Sequence, residues 1–124
     1  MMTGIKSHRD LRVWSNAMDL AQVIYELART FPTREEYRLT SQLIRAAISI
    51  PANIAEGHMR GTRKDYANFI SVARGSTAEL ETLLLLADRA RLGPAVPIAA
   101  ALRKAEDVGR MLTRLHQRLL KPKP

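Results

Sequence analysis

At 124 residues, with 46% hydrophobic and 26% charged content, the chain suits one domain, residues 1–124, burying roughly two-thirds of its unfolded surface. The absence of cysteine excludes disulfides, thiolate metal sites and a cysteine nucleophile, and fits a reducing cytoplasm. The formal net charge of +8 favours anionic partners; the longest apolar run, Leu83 to Ala87, is far shorter than the roughly 20 residues of a membrane span, and Met1 to Arg9 lacks the apolar core of a secretory signal.

Phe31-Pro32, the stretch from Gly57 to Gly61, and Gly93-Pro94 with Pro97 divide the chain into four segments of comparable length. The spacing predicts helices over about 10–30, 34–56, 63–92 and 96–120. Short connections make neighbours antiparallel, so the fold class is all-α, an antiparallel up-down-up-down four-helix bundle. In the first helix Leu11, Trp14, Met18, Ala21, Ile24 or Tyr25, and Ala28 recur at helical spacing, with Trp14 the expected core anchor. The second helix carries Pro51 in its interior, which removes a backbone donor and presses on the carbonyl of Ala47 at a cost of about 3 kcal/mol. A kink between Ala47 and Pro51 is expected.

On a wheel of roughly 100° per residue, Gln42, Arg45, Ser49, Asn53 and Glu56 share a band of about 80° along the second helix. One reading makes this stripe a ligand site joined across the bundle by Arg74 or Glu79. The favoured reading is a structural polar network, because buried charges are usually paired and a proline leaves a carbonyl to satisfy. Asn53 or Ser49 would serve that carbonyl, and Arg45, Glu56, Arg74 and Glu79 would pair between helices or subunits.

The third helix shows Phe69, Val72, Leu80, Leu83 and Ala87 on one side, with Ile70 and Leu85 pointing elsewhere. Those two outliers mark an oligomer interface, against the plainer reading that single exposed leucines are ordinary. Gly75, beside Ser76, is expected to admit a close helix approach. Residues 93–124 hold seven basic and two acidic residues, so they supply +5 of the net charge. Arg103, Arg110, Arg114, Arg118 and Lys121 lie together on the fourth helix, opposite Ala101, Ala105, Val108, Leu112, Leu115 and Leu119. Such a ridge tracks phosphates without reading sequence, or is simply the solvated face that any soluble helix needs. In the loop before the third helix, Thr62 is an N-cap with Asp65 three residues on. Arg60, Arg63 and Lys64 then surround the positive end of that helix, where an anion would offset their repulsion.

Catalytic patterns are thin. His8, His58 and His116 fall in separate segments without the Glu-x-x-His spacing of bundle metal sites, and no phosphate-binding glycine loop or dinucleotide fingerprint is present. No enzyme activity, metal, cofactor or small-molecule substrate is expected. Aromatic residues make up only 5% of the chain, which favours contact with the backbone of folded RNA over base stacking.

The stretch Ser49-Ile50-Pro51-Ala52-Asn53-Ile54-Ala55-Glu56-Gly57 follows Arg45-Ala46-Ala47, and Ala73-Arg74-Gly75-Ser76 with Glu79-Leu80-Glu81 comes later. With Asp10-Leu11-Arg12-Val13-Trp14, Phe31-Pro32 and Leu39-Thr40-Ser41-Gln42-Leu43, the chain resembles the bacterial four-helix bundle family called 23S rRNA intervening-sequence proteins. The resemblance runs from Asp10 to Leu92. It implies a homo-oligomer, and relatives that accompany diversity-generating retroelements imply a basic pentameric ring engaging reverse transcriptase and RNA. No catalytic residues come with it. The function expected is thus a basic, non-enzymatic bundle that oligomerises and binds structured RNA or an RNA-bound enzyme through electrostatic contacts. The alternative is a protein-interaction scaffold with no nucleic-acid role, its positive charge serving solubility.

Overall fold

The computed structural model describes residues 7–122, apart from the side chain of Asp10. Its long helices are α1 (Arg12–Ala28), α2 (Ser41–His58), α3 (Arg63–Arg89) and α4 (Ala95–Leu120). A 3₁₀ turn (His8–Asp10) precedes α1, and a 3₁₀ turn (Thr33–Glu35) leads into a π-helical turn (Glu36–Thr40) before α2. No strand occurs among the described residues. α1 and α3 each pack on both α2 and α4, the neighbour relations of an up-down-up-down bundle.

The α1–α2 connection shows where local chemistry overrides helical spacing. Thr30 returns its hydroxyl and its N–H to the carbonyl of Leu27, and Phe31 tucks into the core. Pro32 has no N–H with which to continue the helix, and its carbonyl starts the 3₁₀ turn by accepting from Glu35 N–H at 2.9 Å. Arg38 then adopts φ −114°, ψ −110°, so α2 begins at Ser41 and not near residue 34. The extra residue of the π turn resets the register, and Leu39 and Leu43 both end inside the core.

The kink expected at Pro51 is not shown. α2 continues from Ser41 to His58 with Pro51 buried inside it. Asn53 does not serve the carbonyl of Ala47; its side-chain amide donates to the carbonyl of Ser49 at 2.8 Å and to its hydroxyl at 3.0 Å. The break in helical geometry belongs to Arg38, where neither glycine nor proline marks it.

The core is aliphatic, drawn from all four helices around Leu20, Ile24, Leu43, Ile50, Ile54, Leu84, Ile98 and Leu112. Trp14 is not at its centre. It packs on the rim with its ring edge-on to His8, centroids 5.0 Å apart. Ile70 must also be reassigned: it is fully buried, so it cannot belong to a surface between subunits. The core face of α3 runs Ile70, Ala73, Thr77, Leu80, Leu84, Ala87, alternating steps of three and four. Counting Phe69 and Val72 into that face had rotated it. Val72, Leu85 and Leu86 are each about half exposed.

α3 ends at Arg89 in a pair of closing hydrogen bonds, Leu92 N–H to Ala87 O and Arg91 N–H to Asp88 O. They need a left-handed residue at position 91, and Arg91 supplies it at φ 55° where glycine is usual. The close approach of helices is made at Gly57 of α2 and not at Gly75. A Cβ on Gly57 would lie 2.7 Å from Cβ of Phe69, whereas one on Gly75 meets nothing within 4 Å. Gly57→Ala should therefore destabilise by about 1–3 kcal/mol through overpacking. Gly75→Ala should stabilise by about 0.5–1 kcal/mol because helical backbone freedom is reduced in the unfolded chain. Denaturant midpoints of the two variants check both signs.

Candidate nucleic-acid interface

One end of the bundle gathers the start of α1, the end of α2, the start of α3 and the end of α4. Thr62 caps α3, its hydroxyl accepting from Asp65 N–H at 3.1 Å, as the spacing of the two residues indicated. The cap sets Arg63 and Lys64 in the first turn. Arg63 reaches across to α4, where its Nη2 donates to the carbonyl of Arg118 at 2.5 Å and to that of Lys121 at 3.4 Å. The Arg118 carbonyl also accepts from Lys121 N–H at 3.3 Å, and both carbonyls lie at the negative end of the α4 dipole, where a guanidinium is favourable. Arg63 is thereby a clasp on α4. Arg60 is occupied too: it pairs with Glu56 at 3.0 Å and lies over the Phe69 ring, 4.7 Å from its centroid. Of the three loop cations, Lys64 alone remains exposed with no partner among the described residues.

Arg103, Arg110, Arg114, Arg118 and Lys121 are all exposed along α4. They do not act as one unit. Eighteen residues separate Arg103 from Lys121, about 27 Å along a helix, and Arg110 is paired with Asp107. Arg114, Arg118 and Lys121 instead line a groove between α4 and the first turn of α1, with Arg12 among its lining residues as well. The lining also includes the apolar Leu11, Val13, Met111 and Leu115. Lys121 also lines a second groove, facing α3, with Arg63, Lys64, Asn68 and His116. Among the described residues, no carboxylate lines either groove. Arg12 escaped the sequence reading because it comes from a different helix: nothing in the α4 pattern points to α1.

The field of this end penetrates inward. Burial pushes the Tyr66 phenol above its ordinary value, and the positive charge of Arg118 opposes that shift. The Tyr66 hydroxyl is buried without a partner, its ring edge-on to His58 at 5.7 Å. The groove between α3 and α4 is different in character, because Glu81 and Glu106 join Arg74, Arg110 and Arg114 there.

The polar stripe of α2 separates into parts. Gln42, Arg45 and Ser49 line a groove with Ser76 and Glu79 of α3, and the hydroxyls of Ser49 and Ser76 are 2.8 Å apart. Glu56 turns to Arg60, and Arg74 lies on the opposite flank of α3, its Nη1 donating to His116 Nδ1 at 3.4 Å. The ion pairs expected between helices are not formed among the described residues. Arg38–Glu35, Arg60–Glu56 and Arg110–Asp107 are all local, three or four residues apart. The reason is geometric: Arg74 and Glu79 lie on different flanks of α3, so they cannot complete one network with Arg45. No group of three or more potential metal ligands occurs among the described residues.

Burial, then repulsion from Glu106, raises the Glu81 carboxyl above its ordinary value of 4.5, with Arg110 opposing. The folded state thus holds the Glu81 proton more tightly than the unfolded chain. This group's contribution to stability is fully present below the ordinary value and is lost as pH rises through the raised one. Glu81→Gln should remove that loss, making the variant more stable than the parent at neutral pH. Denaturant midpoints at pH 4 and pH 7 test this: the gain should be larger at pH 7.

The family model described as 23S rRNA-intervening sequence protein matches residues 9–114, covering α1 to most of α4. A structure of a protein of unknown function from the S23 ribosomal protein family of Bacteroides thetaiotaomicron has TM-score 0.79 and 22% identity to this chain. The likeness covers 85% of this chain and 98% of that one, and concerns the fold. No curated protein matches the sequence.

Proposed function

Because the chain belongs to the 23S rRNA-intervening sequence protein family over residues 9–114, we propose that this bundle is a non-catalytic partner of structured RNA, held by electrostatic contacts at its basic end. The observation that carries this reading is the meeting of Arg12, Arg114, Arg118 and Lys121 around one groove, with no carboxylate among its described lining residues. Four cations brought together from two helices, with Lys64 close to Lys121 in the adjoining groove, make a surface for phosphates and not a scattering of solvated charge. An RNA-bound enzyme is a partner of the same charge class. The protein acts in the cytoplasm, consistent with its lack of cysteine.

Self-assembly is the companion reading, and a protein-interaction scaffold is the alternative to RNA binding. The observation favouring assembly is the half-exposed trio Val72, Leu85 and Leu86 on α3. A ring, pentameric by family resemblance, would repeat the basic end and raise avidity. Leu85→Lys combined with Leu86→Lys should lower the assembly mass in light scattering while helix content holds; an unchanged mass refutes α3 as the contact.

RNA binding is tested with a fluorescent RNA hairpin over a salt series. Four to five phosphate contacts predict a slope of log affinity against log salt of about −4. Arg12→Gln should reduce its magnitude by about 1, and Arg103→Gln should leave it unchanged. Arg114→Glu with Arg118→Glu should abolish binding in a folded protein. Absence of binding by the parent at low salt overturns the reading and leaves the scaffold.

A further inference from the structure

We infer that the groove between α1 and α4 takes one unstacked nucleotide of a structured RNA, such as a single-base bulge. This rests on the RNA-binding reading and specifies the feature that the basic end accepts. The groove joins two chemistries that a regular duplex backbone does not match together. Phosphates satisfy Arg12, Arg114, Arg118 and Lys121, but a backbone alone leaves the apolar lining, Leu11 and Met111 included, in contact with water. A nucleobase has an apolar face and a polar edge. Gln117, also in the lining, offers both an amide donor and an acceptor for such an edge.

Aromatic platforms are absent from this lining, yet planar guanidiniums also stack on bases. The groove measures about 600 Å³, within the roughly 300–1,000 Å³ of small-molecule sites and ample for one base. Its shape opposes an acidic amphipathic helix from a partner protein. Among the described residues, the α1 wall is only Leu11, just before α1, with Arg12 and Val13 of its first turn, whereas a docked helix needs anchors over several turns on both walls. Two of the other interhelical grooves are poorer sites for a nucleotide. Glu81 and Glu106 would repel phosphate in the one between α3 and α4, and Glu79 would do so in the one between α2 and α3.

The test compares two RNA hairpins of equal length, one fully paired and one with a single-nucleotide bulge in its stem, by fluorescence anisotropy at fixed salt. The unmodified protein should prefer the bulged RNA by about tenfold, the order of a single stacked base. Met111→Gln keeps side-chain length and charge, so it should lose most of the preference while retaining affinity for the paired stem. Equal affinity of the unmodified protein for the two hairpins overturns the inference but leaves RNA binding intact, and the apolar lining is then a surface for protein. Binding to neither hairpin overturns the RNA reading itself. The comparison on the unmodified protein needs no variant to fold.

Discussion

The hydrogen bonds from Arg63 to the last carbonyls of α4 tie the basic end together. A helix C-terminus leaves its final carbonyls without intrahelical partners, and α4 has no glycine at its end to close on itself. Its cap residue, Lys121, is extended at φ −74°, ψ 145°. Arg63 supplies donors from the start of the neighbouring antiparallel helix, which holds the last turn of α4 against α3. Arg118 and Lys121 are thereby kept where they line one groove with Arg12, and Lys121 lines a second with Lys64. One cation is thus given to architecture, and the others are left free for an anion.

That division illustrates how charge is used across the molecule. Arg60 and Arg110 are matched by neighbouring carboxylates on their own turns, pairs that stabilise little because both partners are exposed to water. Among the described residues, Arg114, Arg118 and Lys121 have no such match. A net charge of +8 therefore overstates the repulsion along most of the surface and understates it at one end. No helix among the described residues is long and apolar enough to cross a membrane. The proposed contact with RNA draws on these cations at one end, since counterions released from a polyanion favour association.

Much of the fold was legible because its punctuation is chemical. Phe31-Pro32, the cap at Thr62 with Asp65, and Gly93-Pro94 mark helix ends by backbone rules that tertiary contacts did not overturn. Arg38 was invisible, since its break follows from the register that Leu39 and Leu43 need in the core and not from any breaker residue. The kink expected at Pro51 is not shown, and α2 runs through that residue from Ser41 to His58. Ile70 was misplaced because a wheel drawn through the largest side chains follows Phe69, whose ring lies beneath Arg60 and not at the core centre. Of the candidate site, the α4 cations could be read from their spacing. The role of Arg63 and the contribution of Arg12 could not, because both arise from contacts between helices far apart in sequence.

The central claim is that the basic end, and not the polar groove of α2 and α3, is the surface that meets RNA. An NMR titration of the isotopically labelled protein with a short RNA hairpin addresses it most directly. The account predicts that resonances of Arg12, Arg114, Arg118 and Lys121 shift together and saturate with one affinity, while those of Arg45, Ser49 and Glu79 stay in place. Shifts confined to Arg45, Ser49 and Glu79, or no shifts at low salt, would contradict it.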